Sequence, residues 1–319
     1  MKDQYGRSIE YLRISVTERC NLKCIYCDPD GEQCKKPEMD VLSPEEIERI
    51  VQSVAKSGIK KVRITGGEPL LRRDIVEIVR KVAGVEGITD ISMTTNGIRL
   101  ASLAKELKEA GLNRLNISMD SIKPEKFSMI TGGGDLQKTI DGIDAAVEND
   151  LQPIKINTVL IKGMNDDEID DFIELTKERP IQVRFIELMP IGEFGEKNSD
   201  KIVNNDEIIK ARSRLVYLEK TDKGAPAEYY KIPDYQGKVG FISPMSHKFC
   251  GACNRIRLTS DGKLRPCLGD NGETDISAYL EEPQEVLDQR IREIIYRKPV
   301  GHHFDENFTS SRRMNRIGG

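Results

Sequence analysis

The sequence contains no apolar run of about 18 residues, so it offers no helix that could span a membrane. It also has no basic surplus: 49 Lys and Arg stand against 53 Asp and Glu, for a net charge of −4. General nucleic-acid binding is therefore not expected, because it normally needs a basic surface. No signal peptide is visible in the polar start MKDQYGRSIEY, and we expect a reducing, cytoplasmic location.

The seven cysteines are not needed as disulfides, because a chain of 319 residues can bury a large core. Six of them fall into two compact triplets, which favours ligation over packing. The first triplet is Cys20, Cys24 and Cys27, and the second is Cys250, Cys253 and Cys267. Cys34 belongs to neither, and we assign it no role.

The first triplet has the spacing C-x3-C-x2-C, with no fourth cysteine or histidine nearby. Each of the four irons of a [4Fe–4S] cube needs an outer ligand. Three thiolates therefore leave one iron open for a small molecule, which suggests chemistry rather than electron storage. Two alternatives fit the first triplet less well. A structural zinc ion usually has four protein ligands, and a disulfide would leave one of the three cysteines unpaired.

The second triplet has the spacing C-x2-C-x13-C. His247, three residues before Cys250, could complete a structural zinc site instead of leaving a cluster with an open iron. Spacing alone leaves both interpretations open.

The first two thirds of the sequence alternate short apolar segments with helical patterns, which predicts parallel strands joined by crossovers. Ser43-Pro44-Glu45-Glu46 predicts a capped helix start, and Gly58 predicts its end. Polar residues follow several strands. Functional groups at the ends of several strands are typical of a barrel, whereas a doubly wound sheet concentrates them at its switch point. We therefore predict an α/β fold, an incomplete (β/α)6 TIM-type barrel. Its predicted strands are 11–16, 61–65, 88–94, 113–118, 154–161 and 181–187.

The pattern changes after about residue 190. GEFGEKNSDK is predicted to be a polar loop, and residues 284–297 a helix. We divide the chain into a barrel (1–195), a smaller α+β region that carries the second triplet (196–300), and a tail (301–319) ending in Gly318-Gly319.

The first triplet, with Tyr26 before its last cysteine, resembles the signature of radical S-adenosylmethionine (SAM) enzymes. Thr65-Gly66-Gly67-Glu68-Pro69 resembles the motif that contacts the SAM amino group in that superfamily. The segment FCGACNRIRLTSDGKLRPCL resembles the C-terminal cluster motif of the GTP 3′,8-cyclase family. This second resemblance runs from Arg13 to the terminal Gly-Gly.

The resemblance implies two [4Fe–4S] clusters, held by the two triplets, and a role for each matching residue. Arg255 and Arg257 alternate along a presumed strand, so both face one side and call for an anion such as a triphosphate. They are also candidate catalytic residues, with Gly318 and Gly319. The implied SAM contacts are Tyr26, Gly67, Ser118 and Met189. The implied GTP contacts are Arg13, Arg63, Thr94, Lys155, Arg255, Ile256 and Arg257. Lys61 is predicted to point the same way as Arg63 and is a further candidate for binding the phosphates.

The family's reaction is the first step of molybdenum cofactor biosynthesis. The resemblance implies that a 5′-deoxyadenosyl radical takes hydrogen from C3′ of GTP, and that the carbon radical attacks C8 and is then reduced to 3′,8-cyclo-7,8-dihydro-GTP. It further implies a flavodoxin- or ferredoxin-like electron donor, a downstream cyclic pyranopterin monophosphate synthase and a homodimer. Two alternatives remain: a radical SAM peptide-modifying enzyme with an auxiliary cluster, and a non-enzymatic iron–sulfur electron carrier.

Overall fold

The computed structural model describes residues 1–31, 41–304, 306 and 308–318. All six predicted strands are present, with bounds within two residues of those expected. Each apolar segment is long enough for one buried strand and is followed by a turn, so its local pattern sufficed. The six strands are β1 (Tyr11–Ser15), β2 (Lys61–Thr65), β3 (Asp90–Thr95), β4 (Arg114–Ser118), β5 (Lys155–Leu160) and β6 (Gln182–Glu187).

Six further strands follow β6 and extend the same sheet on both sides. They are β7 (Val216–Leu218), β8 (Glu228–Lys231), β9 (Lys238–Ile242), β10 (Arg255–Leu258), β11 (Lys263–Arg265) and β12 (Thr274–Asp275). The strand order is β12-β11-β10-β1-β2-β3-β4-β5-β6-β9-β8-β7. All neighbours from β10 to β9 pair in parallel, while the outer pairs are antiparallel.

Helices alternate with the strands of the barrel. The first starts with a complete capping box, in which Ser43 and Glu46 each accept the other's backbone N–H, as predicted. Gly58 follows it with a positive φ of 92°, which suits glycine. The helices are α1 (Pro44–Lys56), α2 (Ile75–Ala83), α3 (Ala104–Glu109), α4 (Pro124–Thr131), α5 (Leu136–Glu148), α6 (Ile169–Glu178), α7 (Gly192–Lys197), α8 (Asn205–Lys210), α9 (Gln284–Tyr296) and α10 (Met314–Ile317).

The prediction of a polar loop at GEFGEKNSDK is wrong, because α7 forms there and a 3-10 turn follows at Ser199–Lys201. Glu193 and Lys197 pair across one helical turn at 2.6 Å. Gly195 packs so closely that an added Cβ would lie 2.2 Å from the Met189 carbonyl oxygen. Tertiary contact therefore overrides the weak helix propensity of two glycines.

The parallel strands curl around one interior space. Side chains from β1 to β6 and from β10 line a single cavity, while the apolar residues of the opposite faces pack against the helices. This arrangement confirms the predicted incomplete barrel. Within the described part of the chain, no helix is long and apolar enough to cross a bilayer.

Candidate active site

The barrel encloses a cavity of about 420 Å³, and both cysteine triplets open onto it. Cys20, Cys24 and Cys27 lie in the segment after β1, while Cys250 and Cys253 precede β10 and Cys267 follows β11. Because β10 pairs directly with β1, segments more than 200 residues apart in sequence meet at one end of the barrel. The two predicted ligand sets therefore share one chamber.

The glycine pair after β2 supports the segment that leads into the first triplet. The backbone N–H groups of Gly67 and Glu68 donate to the carbonyls of Thr17 and Arg19, both at 2.7 Å. An added Cβ at Gly67 would lie 2.3 Å from the Arg19 carbonyl oxygen, closer than real Cβ atoms come to backbone. This position therefore needs glycine in order to place Cys20, in addition to any contact with a bound cofactor.

Substituting Gly67 with alanine is expected to displace the Arg19 segment and to lower iron loading at the first triplet. The second triplet should keep its iron, because Gly67 does not support it. Gly84→Ala is a matched control, since its nearest Cβ contact would be an ordinary 3.5 Å. Iron analysis of both proteins measures the effect; full iron loading in Gly67→Ala would contradict it.

Glu68 joins the ends of β2 and β3, a role that sequence reasoning missed. Its carboxylate accepts the Leu70 and Asn96 backbone N–H groups at 3.0 and 2.7 Å, and the Thr95 hydroxyl at 2.7 Å. Burial raises the pKa of Glu68 to about 7 despite these donors. The carboxylate thus fixes the rim at which the glycine motif faces the first triplet.

Tyr26 contacts a second buried carboxylate that sequence reasoning also missed. Its hydroxyl donates to Asp120 at 2.6 Å, and Asp120 also accepts the Val159 backbone N–H at 2.8 Å. Burial raises the pKa of Asp120 to about 6 and that of Tyr26 well above its usual value. The only sequence signal was an acidic residue two positions after Ser118, at a strand end.

The two triplets differ in their electrostatic surroundings. Burial raises the pKa of Cys27 to about 12 and that of Cys24 well above its normal value. Burial also opposes ionisation of Cys253, but Arg255 and Lys298 lower its pKa to about 6. Burial also raises the pKa of Cys267, so nearby cations outweigh burial at Cys253 but not at Cys267. Iron binding must therefore displace protons at Cys24, Cys27 and Cys267.

Neither triplet forms a site for one ion: no group of three or more His, Cys, Asp or Glu among the described residues could hold a single metal ion. A cube does not require such a group, because each thiolate binds a different iron. His247 is exposed and pairs with Asp206 at 2.8 Å, and it does not line the cavity. The cysteines facing one chamber therefore fit clusters better than a zinc ion ligated by His247.

Three arginines stand in one row on adjacent parallel strands. Arg257 of β10 is in register with Arg13 of β1, which is in register with Arg63 of β2. All three line the cavity, and so does Arg255, whose guanidinium lies 5.0 Å from the Phe249 ring. This confirms that Arg255 and Arg257 face the same side.

Burial and neighbouring cations lower the pKa values of the arginines in this row. Burial, followed by Arg257 and Arg63, lowers the pKa of Arg13 well below its usual value. Burial also lowers the pKa of Arg63 and of Arg257 to about 10 each, and that of Lys155 to about 7. The buried Nε of Arg13 has no hydrogen-bond partner in the described part of the chain. A polyphosphate would supply the missing charge and acceptors.

Five more of the predicted contact residues also line the cavity. Thr94, Ser118, Met189, Lys61 and Gly67 line the cavity, and Lys61 also pairs with Asp222 at 3.1 Å.

The side chain of Ile256 is fully buried in the core, on the opposite face of β10 from its arginine neighbours. Any contact from this residue to a substrate must therefore come from its backbone.

Sequence reasoning missed three further cations that line the cavity: Arg114, Arg184 and Lys298. Arg184 donates to the Asn157 side chain at 2.8 Å through Nε and to Asn116 at 3.1 Å. Lys298 is only 2% exposed and contributes to the low pKa of Cys253. Nothing in the local sequence distinguishes them from surface cations.

The chain's C-terminal end reaches the cavity wall. Arg257 donates to the carbonyls of Ile317 and Gly318. Gly318 has a φ of 67°, and a Cβ there would lie 2.9 Å from the Thr65 side chain. Gly319 and Cys34 lie outside the described residues.

Two family models together match most of the chain. The Radical SAM superfamily matches residues 14–176, and Molybdenum Cofactor Synthesis C matches residues 181–304. Both triplets lie within these matches. The tail from residue 305 onward lies beyond them.

Curated relatives match along the whole length. A GTP 3′,8-cyclase of Alkaliphilus oremlandii is 50% identical and one of Pelotomaculum thermopropionicum is 46% identical, each covering 100% of both chains. The crystal structure of Streptococcus suis SuiB bound to S-adenosylmethionine aligns with a TM-score of 0.62 at 15% identity. It covers 91% of this chain and 67% of that one, which is evidence for the fold alone. The chain belongs to the GTP 3′,8-cyclase family of the radical SAM superfamily.

Proposed function

We propose that this protein is a radical SAM enzyme that converts GTP to 3′,8-cyclo-7,8-dihydro-GTP, in molybdenum cofactor biosynthesis. The observation that carries this proposal is one cavity lined by both cysteine triplets and by a row of three arginines in register. Full-length identity of 46–50% to curated GTP 3′,8-cyclases supports the same reaction.

Cys20, Cys24 and Cys27 would hold a [4Fe–4S] cluster, which would bind SAM. When bound and reduced, this cluster supplies the electron that cleaves SAM to methionine and a 5′-deoxyadenosyl radical. Tyr26, Gly67, Ser118 and Met189 would surround SAM, and all four line the cavity. Asp120 orients Tyr26, and Glu68 holds the glycine strand end in place.

The cation row would hold the triphosphate of GTP. Arg13, Arg63 and Arg257 present guanidinium groups from neighbouring strands, with Arg255, Lys61 and Lys155 nearby. Charge-assisted bonds from several strands fix the nucleotide's position, and the sugar can then be aimed at the first triplet. Thr94 and the backbone of Ile256 would contribute further contacts.

Gly318 and Gly319 would complete the site as the end of the tail. Gly318 lies against Thr65 and accepts a hydrogen bond from Arg257, so the tail lies beside the phosphate cations. A tail in this position excludes water from the radical.

We also propose that Cys250, Cys253 and Cys267 would hold another [4Fe–4S] cluster, which would bind the guanine base. Its cysteines face the chamber, and Arg255 donates to the Cys253 thiol at 3.6 Å. In this proposal the guanine base would lie between the cation row and the second triplet.

Anaerobic incubation with SAM, GTP and a reductant tests the proposed reaction. The reconstituted protein should cleave SAM faster when GTP is present and should convert GTP to the cyclised product, both measured by chromatography. Cleavage of SAM with GTP unchanged would contradict the substrate assignment. No cleavage of SAM by a fully iron-loaded protein would contradict the reaction class.

GTP binding is expected to take up a proton near neutral pH. Burial, followed by Arg184, Arg114 and Arg63, lowers the pKa of Lys155 to about 7, so much of it is neutral above that pH. A bound triphosphate favours the charged form, so affinity should fall as the pH rises from about 7 toward the ordinary lysine pKa of roughly 10.4.

Calorimetry in two buffers of different ionisation enthalpy measures this uptake. Lys155→Met should bind more weakly and without the uptake, whereas Lys155→Arg should keep the affinity and lose the uptake. Equal proton uptake in Lys155→Met and in the wild-type protein would exclude Lys155 as the source.

The partners and the division of the chain remain predictions. We propose a flavodoxin- or ferredoxin-like electron donor, a cyclic pyranopterin monophosphate synthase acting on the product, and a homodimer. We also propose that residues 1–195, 196–300 and 301–319 have separate roles, although β9 and β10 extend the same sheet as β1–β6.

A peptide-modifying activity is the remaining enzymatic alternative. SuiB has also been solved bound to the precursor peptide SuiA, but this likeness is 16% identical and concerns the fold alone. The row of arginines favours a compact polyanion over a peptide backbone.

A further inference from the structure

The tail carries three arginines to which the reaction above gives no role: Arg312, Arg313 and Arg316. Arg312 is 8% exposed at its side chain and pairs with Asp261 and with Glu273, both at 2.9 Å. Asp261 lies between β10 and β11, and Cys267 of the second triplet follows β11 by two residues. The first arginine of the tail is therefore attached to the segment that carries the second triplet.

The other two arginines are attached to the segment that carries the first triplet. Arg313 pairs with Asp28 at 2.6 Å and with Asp30 at 3.2 Å. Arg316 pairs through Nε with Glu18 at 2.9 Å. Glu18 precedes Cys20 by two residues, and Asp28 directly follows Cys27.

Asn315 and Ile317 make further contacts that hold the tail in place. The side-chain amide of Asn315 donates to the Glu18 carbonyl at 3.4 Å. Ile317 is fully buried against Ile191 and Phe304. The tail thus spans both cysteine-bearing segments before Gly318 reaches Arg257.

We propose that Arg312, Arg313 and Arg316 form a charge latch: positioning residues that hold the tail across the two cysteine-bearing segments and close the radical chamber. Exposed single ion pairs contribute little, but Arg312 is largely buried and Asp28 is 2% exposed, so breaking these pairs strands a charge. This inference rests on the proposed function. It assigns to the latch the coupling between SAM cleavage and GTP turnover.

Loss of the latch should uncouple the reaction while leaving iron binding intact. An unlatched tail admits water and leaves the nucleotide less well positioned, so more SAM is cleaved for each GTP cyclised. A residue with a merely structural role would lower both rates together through lost folded protein. The ratio of 5′-deoxyadenosine to cyclised product is therefore the discriminating measurement.

The test compares Arg312→Ala, Arg316→Glu and the charge swap Glu18→Arg/Arg316→Glu with the wild-type protein. We expect full iron content in all, a several-fold higher ratio in the two single variants, and a ratio restored toward wild type in the swap. Arg214→Ala is the matched control, because Arg214 also pairs with two acids, Asp170 and Glu174, but does not line the cavity. Unchanged ratios in both single variants would overturn the proposal.

Hydrogen exchange of the tail separates this inference from the reaction itself. Residues 312–318 should exchange faster in Arg316→Glu than in the wild-type protein and in the charge swap, whatever the enzyme's substrate. Equal exchange in all three would overturn the latch. Absence of cyclised GTP from the wild-type protein, with exchange behaving as expected, would count against the proposed function only.

Discussion

Replacing Arg257 with alanine should lower kcat/KM for GTP by roughly 100-fold. Hydrogen bonds to charged groups contribute about 1.5–3 kcal/mol, and each 1.36 kcal/mol corresponds to tenfold in rate. Arg257 stands beside Arg13 in the cation row, and it also donates to the Ile317 and Gly318 carbonyls. The kcat/KM of Arg257→Lys should lie between those of the wild-type protein and Arg257→Ala, because lysine keeps the positive charge but lacks the planar donors of the guanidinium group.

Comparison with Arg255→Ala distinguishes the two contacts of Arg257, the proposed one with the phosphates and the observed one with the tail. Arg255 lines the same cavity and bonds to Cys253, but in the described structure it makes no hydrogen bond to the tail. Both variants should keep iron at the first triplet. Wild-type kinetics for GTP in both would contradict a phosphate-binding role for β10.

Replacing one cysteine of either triplet should halve the iron content of the protein. With two cubes the wild-type chain should bind about eight irons, since each cube contains four. Cys24→Ala should retain about four and lose SAM cleavage completely. Cys253→Ala should also retain about four, should still cleave SAM, and should produce no cyclised GTP.

Cys34→Ala is the control for this series, because Cys34 belongs to neither triplet. It should bind as much iron as the wild-type protein. Iron, sulfide and zinc analysis decides the identity of the second site. About four irons and one zinc in the wild-type protein would show a structural zinc there and would contradict the two-cluster proposal.

The strands and the cysteine positions could be predicted because their signals are local. Each of β1 to β6 is a short apolar segment bounded by turn residues, and each triplet lies within a few residues of sequence. The helix start at Ser43 and the placement of Arg255 and Arg257 on one face follow from local periodicity as well. Such features depend little on the remainder of the chain.

The register of the cation row could not be predicted, because it depends on a pairing between distant strands. Arg257 and Arg13 are 244 residues apart in sequence and become neighbours only through the β1–β10 pairing. Glu68 and Asp120 are two of 53 acidic residues, and only the fold shows that they are buried. The latch contacts likewise join the tail to residues near the chain's beginning.

Transfer of deuterium from GTP tests most directly whether the nucleotide lies between the two triplets. The protein would be incubated with SAM, a reductant and GTP deuterated at C3′, and the 5′-deoxyadenosine analysed by mass spectrometry. A nucleotide held by the Arg13, Arg63 and Arg257 row with its sugar toward Cys20, Cys24 and Cys27 predicts deuterium in 5′-deoxyadenosine. Unlabelled 5′-deoxyadenosine formed alongside cyclised GTP would contradict this arrangement.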